Sequence, residues 1–208
     1  MLTGISDDSL DCDQGWQGLA QFVIVHQYAG VGDNAIECDS TGEGFASTPR
    51  TQANIWNATF IGQTDTRGMV LREGVSGSIS NLIIQDMGKE PFDVRNAETA
   101  ALWPAELSIS NSHMCNNGNF TSESGEDDDD GSFIEMTAIA DASLNNSFIT
   151  GSSCPVDSTA ADFETNPSYA PGTALMGAAP PIGDTTATFA GAIGDTNWTA
   201  GWTAYPAN

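Results

Sequence analysis

The apolar residues of this chain come in short bursts separated by Gly, Asn, Asp and Ser, and four of those bursts share one frame. Ile55-Trp56-Asn57-Ala58-Thr59-Phe60-Ile61, Ile79-Ser80-Asn81-Leu82-Ile83-Ile84, Ile109-Ser110-Asn111-Ser112-His113-Met114 and Leu144-Asn145-Asn146-Ser147-Phe148-Ile149 each place an aliphatic residue two before an Asn, with a mostly apolar run behind it. The asparagines at 57, 81, 111 and 146 lie 24, 30 and 35 residues apart. A second series falls between them: Leu10-Asp11-Cys12-Asp13, Ile36-Glu37-Cys38-Asp39, Val70-Leu71-Arg72-Glu73 and Phe92-Asp93-Val94-Arg95. Gln21–Gln27 is an earlier member of the first series that lacks the Asn. Short β-branched and aromatic runs bounded by turn residues predict strands, and no intervening segment carries an amphipathic helix of ordinary length. Two strands per repeat predict an all-β fold, a right-handed parallel β-helix (solenoid) over residues 1–154. Equivalent residues of successive coils then stack about 4.8 Å apart. Asn57, Asn81, Asn111 and Asn146 are expected to form a ladder whose amides satisfy one another and the turn backbone.

Beyond Pro155 the pattern changes. Residues 155–208 are rich in Ala, Gly, Pro and Thr, with apolar bursts at Ala187–Ile193 and Trp198–Trp202. This segment reads as an extended tail. Two tryptophans are costly to leave wet, so it should pack on the solenoid or on a neighbouring copy.

Charge narrows the partners. Only 5 Lys and Arg oppose 28 Asp and Glu, a formal net charge of −23, which repels phosphate backbones and anionic lipid and excludes nucleic acid as a partner. No apolar run is long enough for a membrane span. Most carboxylates have no cation to pair with, so Ca²⁺ is the natural counter-charge wherever acids crowd. Asp7, Asp8, Asp11 and Asp13 crowd the first coil, and Glu37 and Asp39 fall beside Asp11 and Asp13 when the coils are aligned. These six are the candidate Ca²⁺ ligands, although their spacing is not that of an EF-hand. The run Glu126–Asp130 reads as a solvated loop.

The cysteines add staples. Cys12 and Cys38 hold matching places one coil apart, within disulfide reach, and Cys115 and Cys154 pair by elimination. His26 and His113 stand alone in strands and there is no Cys-x-x-Cys, so neither zinc nor haem is expected. An even cysteine count with little Lys points outside the cytosol. A nucleophile elbow, a phosphate-binding Gly-rich loop and a zinc-protease motif are all lacking, so no nucleotide is expected and no catalytic residue is assigned. β-Helices can carry lyases and glycosidases built on Arg or Lys bases or on carboxylate pairs. The cations here are Arg50, Arg67, Arg72, Lys89 and Arg95, and Arg72 and Arg95 read as inter-coil salt bridges to acids such as Glu73 and Asp93.

Asp8-Ser9-Leu10-Asp11, Asp13-Gln14-Gly15-Trp16-Gln17-Gly18, Gln21-Phe22, Asp33-Asn34-Ala35-Ile36-Glu37, Pro49-Arg50, Asn57–Gly62 and Leu71-Arg72-Glu73-Gly74 together resemble the later coils of large bacterial cell-surface parallel β-helix proteins. Gly191-Ala192 with Trp198–Thr203 resembles their C-terminal ending. The resemblance covers nearly the whole chain. It implies a right-handed β-helix exported by a Gram-negative bacterium, and it carries over no catalytic residues. Such proteins have further N-terminal coils, so the chain reads either as a short version or as a C-terminal fragment. In a short version the first coil presents an open strand edge, which invites head-to-tail stacking into a filament. The expected function is a non-catalytic extracellular structural protein, a surface or filament subunit that self-associates as a homo-oligomer or filament through its solenoid ends and tail, strengthened by Ca²⁺. The alternative is a polysaccharide-binding or polysaccharide-cleaving protein that uses Trp16, Trp56 or Trp103 as platforms for a glycan.

Overall fold

The computed structural model describes residues 1–118, 129–149 and 153–204. Residues 126–128 of the acidic run lie outside the described residues. In chain order the strands are β1 (Leu2–Thr3), β2 (Leu10–Cys12), β3 (Leu19–Gln21), β4 (Ile24–His26), β5 (Asn34–Asp39), β6 (Asn54–Ile61), β7 (Arg67–Arg72), β8 (Gly77–Gln85), β9 (Asp93–Val94), β10 (Leu107–Ser110), β11 (His113–Cys115) and β12 (Ser147–Ile149). They form two parallel sheets. The long sheet runs β1-β4-β6-β8-β11-β12, with β3 also on β6 and β10 also on β8, and the short sheet runs β2-β5-β7-β9. The chain visits the sheets in turn, so each coil gives a segment to both, and the result is an all-β parallel solenoid. Among the described residues, the helical segments between strands are short turns, among them Ala97–Ala100 and Glu135–Ile139.

Each long-sheet segment bends at one residue. Trp56 pairs with Ser80 and Ala58 with Leu82, which sets Asn57 beside Asn81, and Ser110 beside Ser80 brings Asn111 next in line. All three asparagines take left-handed backbone, φ 52°, 59° and 49°, a conformation Asn tolerates better than other L-residues with a Cβ. The fourth rung differs from the sequence expectation. His113 pairs with Ser147, so Asn145 and not Asn146 faces Asn111. Asn145 ends a 3₁₀ turn in the same left-handed conformation (φ 54°), and its Nδ2 donates to Asn111 Oδ1 at 2.9 Å. Asn146 sits one step on, where its Oδ1 accepts from Ser112 N and its Nδ2 donates to Ile109 O. The adjacent Asn-Asn pair made the sequence frame ambiguous by one residue.

Alternation along the strands builds two cores. Inside the solenoid, Val25, Ile36, Cys38, Ile55, Phe60, Met69, Leu71, Leu82, Ile84 and Val94 are buried in one cluster. On the outer face of the long sheet, Ile24, Ile61 and Ile83 are buried against Val156, Phe163, Tyr169, Ala192 and Ile193 of the tail. Tail backbone is bonded to the bend residues: Asn81 Nδ2 donates to Ala178 O at 2.7 Å, Asn81 Oδ1 accepts from Ala178 N at 2.8 Å, and Asn57 Nδ2 donates to Phe189 O at 2.6 Å. Outward-facing Gln85 exchanges hydrogen bonds with Val156 in both directions. The amides of Asn57 and Asn81 therefore reach the tail, while Asn145 and Asn111 bond to each other. Two disulfides close the frame, Cys12–Cys38 between adjacent short-sheet strands with Cα atoms 4.7 Å apart, and Cys115–Cys154 at the start of the tail.

Candidate functional site

Two places gather functional side chains, the outer face of the short sheet and a cleft between bend and tail. On the short sheet, register fixes the first. Asp11, Glu37, Val70 and Asp93 stack across β2, β5, β7 and β9, and Asp39 pairs with Arg72 two positions along. Inward neighbours Cys12, Cys38, Leu71 and Val94 are core, so the intervening residues point outward by the two-residue period of a strand.

The six acids nominated from sequence are not gathered into one group. Among the described residues, no group of three or more His, Cys, Asp or Glu is placed to hold a metal ion. Asp7 is exposed at the coil edge, and Asp13 turns back to accept from Gln14 N. Asp8 accepts from both Asn34 N and Asn34 Nδ2, at 3.1 and 2.7 Å. Asp39 receives Arg72 through two parallel bonds, Nε at 2.7 Å and Nη2 at 2.9 Å, and Arg72 Nη2 also lies 2.6 Å from Glu37 Oε1. Arg72 is thus a counter-charge for two of the six, its cross-coil partners Glu37 and Asp39. Because Asp39 holds the bidentate face of the guanidinium, Arg72 only partly offsets what acts on Glu37. Burial, a hydrogen bond to Asp8 and the charge of Asp8 push the Glu37 carboxyl up to about 8. Asp11 is raised by burial and by the neighbouring Asp39, Asp8 and Asp13 charges.

The other cations are engaged too. Arg67 meets Glu90 at 2.7 Å and Asp93 at 3.4 Å, Arg95 meets Asp93 at 3.0 Å, and Lys89 meets Asp33 at 3.3 Å. Arg50 donates to the carbonyls of Phe45 and Gly74. Hydrogen bonds and acidic neighbours hold Arg67 and Arg72 more firmly protonated than usual, which works against either as a proton acceptor. His26 is buried behind the tail beside Tyr169, whose hydroxyl is 2.9 Å from Nδ1, and burial lowers its pKa to about 4. It stays neutral at neutral pH.

The second place was missed in the sequence. Phe22, Phe189, Gly194 and Trp198, with Asp184, Asp195 and Thr196, line a cleft of about 590 Å³. The tryptophans nominated from sequence lie elsewhere: Trp56 is buried, Trp103 is stacked on Phe92 and Trp16 packs on the solenoid core. None of the three lines the cleft. A signal was present, since Gln21–Gln27 has Phe22 where the other bends have Asn. Gln21 pairs with Trp56, so Phe22 stands at the Asn57 level.

Parallel coils, a disulfide between coils and a docked tail define a parallel β-helix. Residues 1–203 match the pectate-lyase-like beta-helix domain, and the chain belongs to that family. No curated protein and no solved structure matches it.

Proposed function

We propose that this chain is a non-catalytic structural protein of the extracellular surface, exported by a Gram-negative bacterium, that self-associates through the ends of its solenoid. The observation that carries this reading is the state of the end strands. Among the described residues, β1 and β2 at one end each pair with a strand on one side only, whereas β9 at the other end is met by Glu135, whose Oε1 accepts from Val94 N at 3.0 Å. A parallel strand with one free side accepts a further coil, whether of the same chain or of a second copy, and copies joined head to tail need not close into a ring. Two supports are independent of the edges. The cations that β-elimination would draw on are tied to carboxylates or carbonyls. Two disulfides, in a chain where no described helix is long and apolar enough to cross a membrane, are compatible with an extracellular setting.

Light scattering and electron microscopy over a concentration series test the proposal. The expected outcome is mass that grows in protomer steps and rods that lengthen end to end. A monomer that persists at high concentration overturns it, as does release of unsaturated sugars from a polysaccharide.

A further inference from the structure

We propose that the cleft between the first bend and the tail binds a neutral polysaccharide by stacking a sugar ring on its aromatic wall. This goes beyond the structural reading above and does not depend on it. The cleft is of a size that takes a small ligand or one segment of a polymer. Its wall is fixed in advance. Phe22 and Phe189 stack with centroids 6.2 Å apart and planes 21° from parallel, and Trp198 is held by its Nε1 donating to Ala192 O at 2.8 Å. Gly194 leaves the Phe189 ring room to lie flat, since a Cβ there would come within 2.6 Å of it.

The backbone of Phe22 adds a second observation. It occupies the bend position that Asn57, Asn81 and Asn111 fill in later coils, with the same left-handed backbone (φ 60°). A bulky aromatic there is strained, whereas Asn is tolerated. Such strain persists where the surroundings over-determine it and gathers at ligand clamps. Here the surroundings do so, because Gln21 is bonded both ways to Asp184 of the tail. The fold thus holds a strained aromatic at the mouth of a cleft where its own repeat calls for Asn.

Chemistry selects the ligand. The C–H face of a pyranose is apolar and faintly positive, which suits the negative face of an aromatic ring. The polar lining, Asp184, Asp195 and Thr196, supplies acceptors for sugar hydroxyls and no cation. With that rim on a chain of net charge −23, a polyuronate is repelled and an uncharged sugar is not. Trp202, 64% exposed, stacks on Trp198 at 5.9 Å and continues the aromatic surface past the cleft, which suits a polymer better than a single sugar.

The test uses the full chain in affinity gels and tryptophan-fluorescence titrations with soluble mixed-linkage β-glucan, galactomannan and polygalacturonate. Two variants complete it: Phe22→Asn restores the bend residue and removes the ring, and Thr196→Trp fills the cleft from an exposed position. At least one neutral polysaccharide should bind and polygalacturonate should not, and both variants should weaken binding by about tenfold or more. Phe22→Asn should meanwhile raise the thermal midpoint, showing that binding is lost without unfolding. The proposal is overturned if neither neutral polymer binds, if polygalacturonate is preferred, or if binding survives in either variant.

Discussion

The long and short sheets come from the same coils yet solve opposite problems. Long-sheet strands are apolar on both faces: Val25, Phe60 and Ile84 point into the solenoid while Ile24, Ile61 and Ile83 point out under the tail. Their sequence therefore reads as unbroken apolar runs, as parallel strands covered on both sides do. Short-sheet strands alternate. Ile36, Cys38, Met69 and Leu71 face inward, and Glu37, Asp39 and Arg72 face outward, where they cover one another. The difference identifies the tail as the cover of a second core and not an appendage. Removing residues 155–208 should therefore have the largest effect of any change considered. Burial of Ile24, Ile61 and Ile83 alone is worth about 1.5–3 kcal/mol each, which together approaches the whole margin of about 5–15 kcal/mol of a typical domain. The truncated chain should aggregate or lose its cooperative melt. A soluble product melting at the full-length midpoint would break the comparison.

A smaller test asks how the tail is held. Asn81 combines a left-handed backbone with two hydrogen bonds to Ala178, so Asn81→Ala loses both bonds and strains the bend. Stranded tail groups cost about 1–3 kcal/mol, and Ala in that conformation about 1 kcal/mol more. The expected loss is about 2–4 kcal/mol in denaturant melts. Asn81→Gly keeps the backbone comfortable and isolates the bonding part. If Gly and Ala cost the same, the bend contributes nothing separate. If neither costs more than a few tenths, the tail is held by its apolar contacts alone.

The coils were legible because a solenoid repeats its own evidence. A β-branched frame around Asn57, Asn81 and Asn111 returns at each turn, and Cys12 and Cys38 betray their register by holding the same place in it. Asn145 was misread for Asn146 because a one-residue choice between identical side chains depends on a 3₁₀ turn that sets φ, which local pattern does not specify. For the acids at 7–13 and 37–39, sequence shows which residues are near but not that Asn34 reaches Asp8 and that Arg72 reaches Glu37 and Asp39. The cleft was invisible for a different reason. Its walls, Phe22 and Phe189, are 167 positions apart and meet only because the tail returns to the first bend, a long-range contact with no periodic trace. The one clue, an aromatic where the repeat expects Asn, became informative only once the register was known.

The finest test lies on the outer face of the short sheet, where pH and not apolar packing should dominate. Glu37 is raised from 4.5 to about 8, first by burial and then by Asp8, against the pull of Arg72. The folded chain keeps this proton at pH values where the unfolded chain has released it. For a carboxyl raised in this way, the contribution to stability is fully present below about 4.5 and is lost as pH rises to about 8. Between about pH 5 and 8 the wild-type thermal midpoint should therefore fall relative to that of Glu37→Gln, which cannot ionise, while buried His26 acts in the opposite direction up to about pH 6.5 in both proteins alike. Asp11 and Glu73 are raised in the same direction, so the variant keeps part of the slope. The separation should be greatest at the alkaline end, about 1–2 kcal/mol once the Arg72 contact and solvent screening are discounted. Gln still accepts from Arg72, so a neutral hydrogen bond takes the place of the Arg72–Glu37 charge pair. Parallel midpoint curves for the two proteins would mean that Arg72 keeps Glu37 ionised, and the short sheet would then be a neutralised ladder with no pH response of its own.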